Sequence, residues 1–220
     1  KQSFYMAKSP QPFLKKTDLI QVEHQENNFS DFKIQALVPW FHSRENATIA
    51  IGDVNNDNRL DIYLGNAMGA SGQLLIQNTS GGFSKGNSTI FEKAAQSEDS
   101  EALFIDVNND GNLELYVGSG SYEFVENDVN LQDRLYLNDG NGNFTDVSEN
   151  LPELRMNSTC VAAADIDADG DVDLFVGGGY IYGKYPKAYK SQLLINDGKG
   201  VFTNKPLSIA GAGSVKDAIW

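Results

Sequence analysis

Cysteine, histidine, basic charge and long apolar runs are all scarce in this chain of 220 residues, and each scarcity closes off a class of explanation. The single cysteine, Cys160, forbids an internal disulfide and leaves the redox compartment unread. Set in an apolar strand pattern before Val161, it reads as a small buried hydrophobe rather than a nucleophile. The two histidines, His24 and His42, stand near no nucleophile motif, and the chain is read as non-catalytic. Only 17 lysines and arginines face 30 aspartates and glutamates, a formal charge of −13 that argues against a nucleic-acid partner. No run of 18 apolar residues occurs, so no membrane-spanning helix is expected. No signal peptide opens the chain, but a first residue other than Met implies processing or trimming, so secretion stays open.

The acid that is present falls in register. In Asp165-Ile-Asp-Ala-Asp-Gly-Asp-Val-Asp173, carboxylates occupy loop positions 1, 3, 5 and 9 (Asp165, Asp167, Asp169, Asp173), with Gly170 at position 6. Alternate oxygens, a glycine for the sharp turn and a closing carboxylate suit a hard cation that takes six or more oxygen ligands. Position 7, Asp171, would add its backbone carbonyl. An EF-hand needs a bidentate Glu at position 12, and here that residue is Val176. The flanks are apolar and strand-like, so the motif is a strand–loop–strand calcium site.

The same frame recurs in Asp53-Val-Asn-Asn-Asp-Asn-Arg-Leu-Asp61 and Asp106-Val-Asn-Asn-Asp-Gly-Asn-Leu-Glu114, at a spacing of 53 and then 59 residues. A period of that length fits one four-stranded propeller blade. Each repeat reads alike. An apolar first strand (Thr48–Ile51, Ala102–Ile105, Val161–Ala164) leads into the acidic loop. A second strand follows (Ile62–Gly65, Leu115–Gly118, Leu174–Gly177), then a variable loop and a third strand (Gln73–Ile76, Arg134–Leu137, Gln192–Ile195). Turns rich in Asn, Asp and Gly then lead to a fourth strand opening on Phe83, Phe144 or Phe202, a strong hairpin signal because these residues tolerate positive φ.

These residues resemble the FG-GAP/VCBS repeats that build the calcium-stabilised β-propellers of integrin alpha subunits and of many secreted bacterial proteins, some of which carry ASPIC/UnbV domains. The resemblance covers roughly residues 27–220. It implies an all-β fold, a propeller segment of three complete four-stranded blades with partial blades at both ends, residues 1–26 holding a lead-in and the strand-like Asp18–Val22 as the first strand of the N-terminal partial blade. It also implies about three structural Ca²⁺ sites. The ligands carried over by position are Asp53, Asn55, Asp57, the Arg59 carbonyl and Asp61 in the first loop. In the second they are Asp106, Asn108, Asp110, the Asn112 carbonyl and Glu114. In the third they are Asp165, Asp167, Asp169, the Asp171 carbonyl and Asp173. Asn58 stands where the turn glycine is usual, a mild change because Asn visits the left-handed region. Glu114 is one methylene longer than the usual Asp, so the second site is expected to bind most weakly and the third, with four side-chain carboxylates, most tightly.

Aromatic and basic residues gather in the variable loops. Tyr180, Tyr182, Lys184, Tyr185, Lys187 and Tyr189 lie between the second and third strands of the third repeat. Tyr122 and Phe124 take the corresponding place in the second, and Trp40 precedes the first repeat. Such loops on a rigid face suit a protein or carbohydrate ligand, or alternatively pack against neighbouring blades and the lead-in. The expected role is an extracellular or cell-surface binding or adhesion module. The alternative is a polysaccharide-active enzyme or its accessory domain. Asn27–Phe32 matches Gly142–Val147, and Asp217–Trp220 matches Glu101–Phe104, so strands of incomplete blades are expected at both ends. The match places a fourth loop two residues past Trp220. It favours an arc from a larger ring, with further blades in a longer chain, over a closed small propeller.

Overall fold

A computed structural model describes residues 22–44, 48–205, 207 and 213–220. It contains twelve strands in three antiparallel sheets and no α-helix among the described residues. Blade 1 comprises β1 (Ile49–Gly52), β2 (Asp61–Leu64), β3 (Gln73–Gln77) and β4 (Phe83–Lys85). Blade 2 comprises β5 (Asp99–Ile105), β6 (Glu114–Ser119), β7 (Arg134–Asn138) and β8 (Phe144–Asp146). Blade 3 comprises β9 (Ser158–Ala164), β10 (Asp173–Gly178), β11 (Gln192–Asn196) and β12 (Phe202–Lys205). Each sheet is a meander in chain order, and the first strands of successive blades touch one another. The hairpins between third and fourth strands turn on glycines at positive φ, among them Gly140 at 75° and Gly198 at 74°.

Strand periodicity explains how blades stack. Residues of alternate parity face opposite sides of a sheet, so each blade has one face toward the preceding blade and one toward the next. Ala102 and Phe104 of β5 join Val54, Tyr63, Leu74 and Phe91 of blade 1 in one core. Val161 and Ala163 of β9 pack likewise against a core containing Tyr116, Leu135, Leu174 and Leu194. Tyr63 and Tyr116, at equivalent places in β2 and β6, are wholly buried by the following blade. Burying such a side chain stabilises by about 1.5–3 kcal/mol before entropy is charged, so the interfaces, rather than the small sheets, hold the array together. The blade 1 residues equivalent to Ala102, Phe104 and Leu113 are Ile49, Ile51 and Leu60, which are 55%, 60% and 58% exposed.

A polar seam crosses the first interface. Tyr63 Oη donates to Asp99 Oδ2 (2.9 Å), and Arg134 Nη2 pairs with Asp99 Oδ1 (2.8 Å), all buried. The side-chain amides of Asn138 and Asn196 reach across blades to the carbonyls of Val54 (2.8 Å) and Val107 (2.7 Å).

Residues 22–44 depart from the sequence expectation. They hold no strand, and Asn27–Phe32 does not form the edge of an incomplete blade; Asp31–Lys33 is a 3₁₀ turn. The reason is local. The wholly buried Asp31 carboxylate accepts from the backbone of His42 (2.5 Å) and Ser43 (3.1 Å), an arrangement that competes with a strand ladder. Residues 18–21 of the expected N-terminal strand lie outside the described residues. The segment instead runs as a strap across all three blades. It bonds to Gly65 and Asn66 of blade 1, Glu123 of blade 2 and Tyr185 of blade 3.

The C-terminal segment 213–220 has no assigned strand, yet it follows the repeat. Val215 N donates to Gly178 O (3.1 Å), as Asp99 N donates to Asn66 O (3.0 Å) in the first interface. Trp220 packs edge-on against Phe175 at 6.3 Å and stays 62% exposed.

Candidate functional site

The three acidic loops link the first two strands of each blade and share one internal design. The first carboxylate folds inward and accepts backbone N–H groups. Asp53 takes those of Asp57 and Asn58, Asp106 those of Asn108 and Gly111, and Asp165 those of Asp169 and Gly170. Position 6 is left-handed in each, at φ 63° for Asn58, 86° for Gly111 and 96° for Gly170, so Asn58 takes the glycine's part. Position 9 is buried at the start of the second strand and braces the loop. Asp61 accepts from Val54 N and Gln77 N, and Asp173 from Ile166 N and Asn196 N.

Burial of Asp61 raises its pKa above the ordinary carboxylate value, with the charges of Asp57 and Asp53 adding to the effect. Glu114 is pushed further, to about 7, again chiefly by burial. Its Oε2 accepts from Val107 N (3.0 Å), while its buried Oε1 has no hydrogen-bond partner. The Asn138 backbone, counterpart of Gln77 and Asn196 in the other loops, also acts on this carboxylate and offsets part of the rise.

The loops differ in how far their carboxylates converge. In the third, oxygens of Asp165, Asp167 and Asp173 lie within 4.8 Å of one another, the one such group among the described residues, and it could hold a metal ion. Burial first, then the charges of Asp169 and Asp173, raise the pKa of Asp167. In the second, Asn108 Nδ2 donates to Asp110 Oδ2 (3.1 Å). In the first, the Arg59 guanidinium holds Asp57 Oδ2. The third loop therefore fits a hard divalent ion as it stands, and Asp165, Asp167 and Asp173 would hold it. In the second no three carboxylate oxygens converge in this way, and Asn108 engages Asp110. The first does not fit as arranged, because a side chain of its own already neutralises one of its acids. Neighbouring loops are joined as well. Asn56 Nδ2 donates to Asn112 Oδ1 (2.9 Å), and Asn109 Nδ2 to Asp171 Oδ1 (2.7 Å).

The aromatic loops lie at the opposite ends of the second strands and meet the strap. His42, 4% exposed, is ringed by Tyr180 (4.7 Å between centroids), Trp40 (5.2 Å), Tyr185 (5.4 Å) and Tyr122 (5.7 Å). Tyr182 packs on Tyr122 at 6.2 Å. Tyr122 Oη donates to Gln35 Oε1, which also accepts from Tyr185 N, and Gln35 Nε2 donates to Tyr185 O. Tyr122 and Phe124 are buried and present no face to solvent, whereas Trp40 is 54% exposed. Lys184 pairs with Glu126, Lys187 is exposed, and Tyr189 is half-buried with its hydroxyl pushed up to about 12 by burial. Most of the aromatic set thus anchors the strap, and Trp40 stays open to solvent. Gln35, the clamp between blades 2 and 3, gave no sequence signal, since a lone glutamine has no periodicity to betray it.

A search of curated proteins finds no match to this chain. The profile of the FG-GAP-like repeat matches residues 53–117 and 118–176, a region that opens on the first acidic loop and takes in the other two. Together these matches span more than half of the chain, so with its three four-stranded blades and their in-register acidic loops the protein belongs to the FG-GAP-like repeat family.

Proposed function

We propose that the protein is an extracellular, calcium-stabilised propeller module that binds a protein or carbohydrate ligand and does no chemistry itself. The observation that carries the calcium half is the convergence of Asp165, Asp167 and Asp173 within 4.8 Å. Bound there, Ca²⁺ supplies positive charge that lets neighbouring carboxylates share one loop. The chain's own residues set the rest: position 9 fixes the second strand, position 1 shapes the turn, and Asn109 ties the loop to its neighbour. An affinity in the 10⁻⁴–10⁻³ M range of extracellular modules would add roughly 0.4–1.4 kcal/mol per site at millimolar calcium. The binding half draws support from Trp40, exposed beside the tyrosine cluster, and from the exposed Lys187 of the third aromatic loop. Ile49, Ile51 and Leu60 support a further blade against blade 1, since their counterparts in blades 2 and 3 are covered by a preceding blade.

Thermal melts in EGTA and in millimolar calcium test the first half: the midpoint rises with calcium, and equal midpoints refute it. A glycan and protein-ligand panel, run on the native chain and on Trp40→Ala, tests the second. Ligand capture that survives the substitution unchanged places binding elsewhere.

A further inference from the structure

We propose that Arg59 is a tethered cation in the first acidic loop, so that this loop holds its shape without calcium and binds the ion at least tenfold more weakly than the third. This rests on the calcium reading above, and the test below separates the two.

Position 7 is where the loops part company. In the second and third loops it carries Asn112 and Asp171, whose side-chain oxygens turn outward to accept from the preceding loop's asparagine, Asn56 or Asn109. In the first loop the residue is Arg59, and its side chain turns back. Its guanidinium grips Asp57 Oδ2, its backbone N–H donates to Asp57 Oδ1 (2.9 Å), and its Nε donates to Gln77 O (3.0 Å) on β3. The backbone bond is common to all three loops, since Asn112 N donates to Asp110 Oδ1 (2.8 Å) and Asp171 N to Asp169 Oδ1 (2.9 Å); what sets the first loop apart is a positive charge on Oδ2 that is itself anchored to the adjacent strand. The third loop has nothing comparable: among the described residues no lysine or arginine forms an ion pair with Asp165, Asp167, Asp169 or Asp173, and three of those carboxylates converge.

A divalent ion entering the first loop must take Asp57 from a guanidinium and then tolerate that positive charge nearby. The pair is partly exposed, at 33% and 23% of the two side chains, so Arg59 can swing aside at modest cost. The expected penalty is accordingly about tenfold rather than complete exclusion. The same contact does for the empty loop what an ion would do, because it offsets repulsion among Asp53, Asp57 and Asp61. Residue length alone ranks the second loop last, on account of Glu114; the position of Arg59 puts the first loop last instead.

The experiment is calcium titration calorimetry on the full chain and on Arg59→Ser, Arg59→Lys and Asp165→Asn, with melts in EGTA alongside. The native chain shows a tight class, lost in Asp165→Asn, and a weak class. Arg59→Ser strengthens the weak class at least tenfold and melts lower than the native chain in EGTA, with the difference narrowing in calcium. Arg59→Lys keeps the charge and stays close to native. Equal binding by the native chain and Arg59→Ser overturns the proposal while leaving the calcium reading intact, as does a gain shared by Arg59→Lys and Arg59→Ser. No calcium heat from any of the four proteins sinks both.

Discussion

Glu98 offers the sharpest test of the energetics, because a carboxyl group is held where it cannot easily ionise. It sits just before β5 at the junction of blades 1 and 2, is 1% exposed, and its Oε2 has no hydrogen-bond partner. Burial above all, then the charges of Glu123 and Glu26, push its pKa to about 9 from a model-compound value of 4.5. Bonds from the Ser121 side chain and the Met68 backbone offset only part of this. Since the folded pKa is raised, both states hold the proton below pH 4.5. Between 4.5 and about 9 the unfolded chain releases it and the folded one does not, so stability falls as pH rises through that window. At 1.36 kcal/mol per pH unit, the penalty is roughly 3 kcal/mol at pH 7 and about 6 kcal/mol near pH 9. Glu98→Gln removes the ionisation and keeps the shape. Urea unfolding at pH 5, 7 and 8.5, with calcium held constant, should show the variant ahead of the native chain by less than about 1 kcal/mol at pH 5. It should then be more stable by roughly 3 kcal/mol at pH 7, with a wider gap at 8.5. A difference that does not change with pH, or a variant weaker than native at pH 7, refutes the reasoning.

Other perturbations follow from single contacts. Asn138→Ala deprives the buried carbonyls of Val54 and Leu113 of their donor and should cost about 2 kcal/mol in denaturant unfolding, with blades 1 and 2 loosened in hydrogen exchange. Gly120→Ala would set a Cβ 2.1 Å from the Ser158 carbonyl oxygen, a backbone atom with no room to yield, and should cost about 3 kcal/mol or more in the same assay. Gln35→Ala frees the strap from blade 3, so limited proteolysis within residues 22–44 should quicken while the blades keep their melting temperature within a few degrees.

The blades were legible because their signal repeats. Three loops with acids at the same positions, each between apolar strands, locate the second strands to within a residue: β2, β6 and β10 open on the closing acids Asp61, Glu114 and Asp173, one residue before Ile62, Leu115 and Leu174, where the apolar run begins. The first strands were read short: β5 and β9 start at Asp99 and Ser158, because polar residues there pair in the ladder beyond the apolar run. The Asn-Asp-Gly turns were read as hairpin chemistry alone. Asn138 and Asn196 also bridge blades, a role visible only once the neighbouring carbonyl is in place. The strap was misread for the complementary reason. Asn27–Phe32 copies the sequence of a real fourth strand, but β8 exists because Tyr136 and Leu137 pair with it, and residues 27–32 meet no such partner. Pattern locates elements that make their own neighbours; it is silent about segments whose order comes from distant residues.

That distance has a consequence for how the molecule assembles. The strap's side-chain bonds close over 41 residues to Asn66, 96 to Glu123 and 150 to Tyr185, so each needs a later blade than the last. On a ribosome, residues 22–44 precede every strand they touch, and their docking is complete only once the loop at Tyr185 exists. Local hairpins form on microsecond timescales, whereas contacts of such long span carry the full cost of loop closure. The part of the chain made before the blades is then among the last to find its place, and its docking reports that the third blade is built.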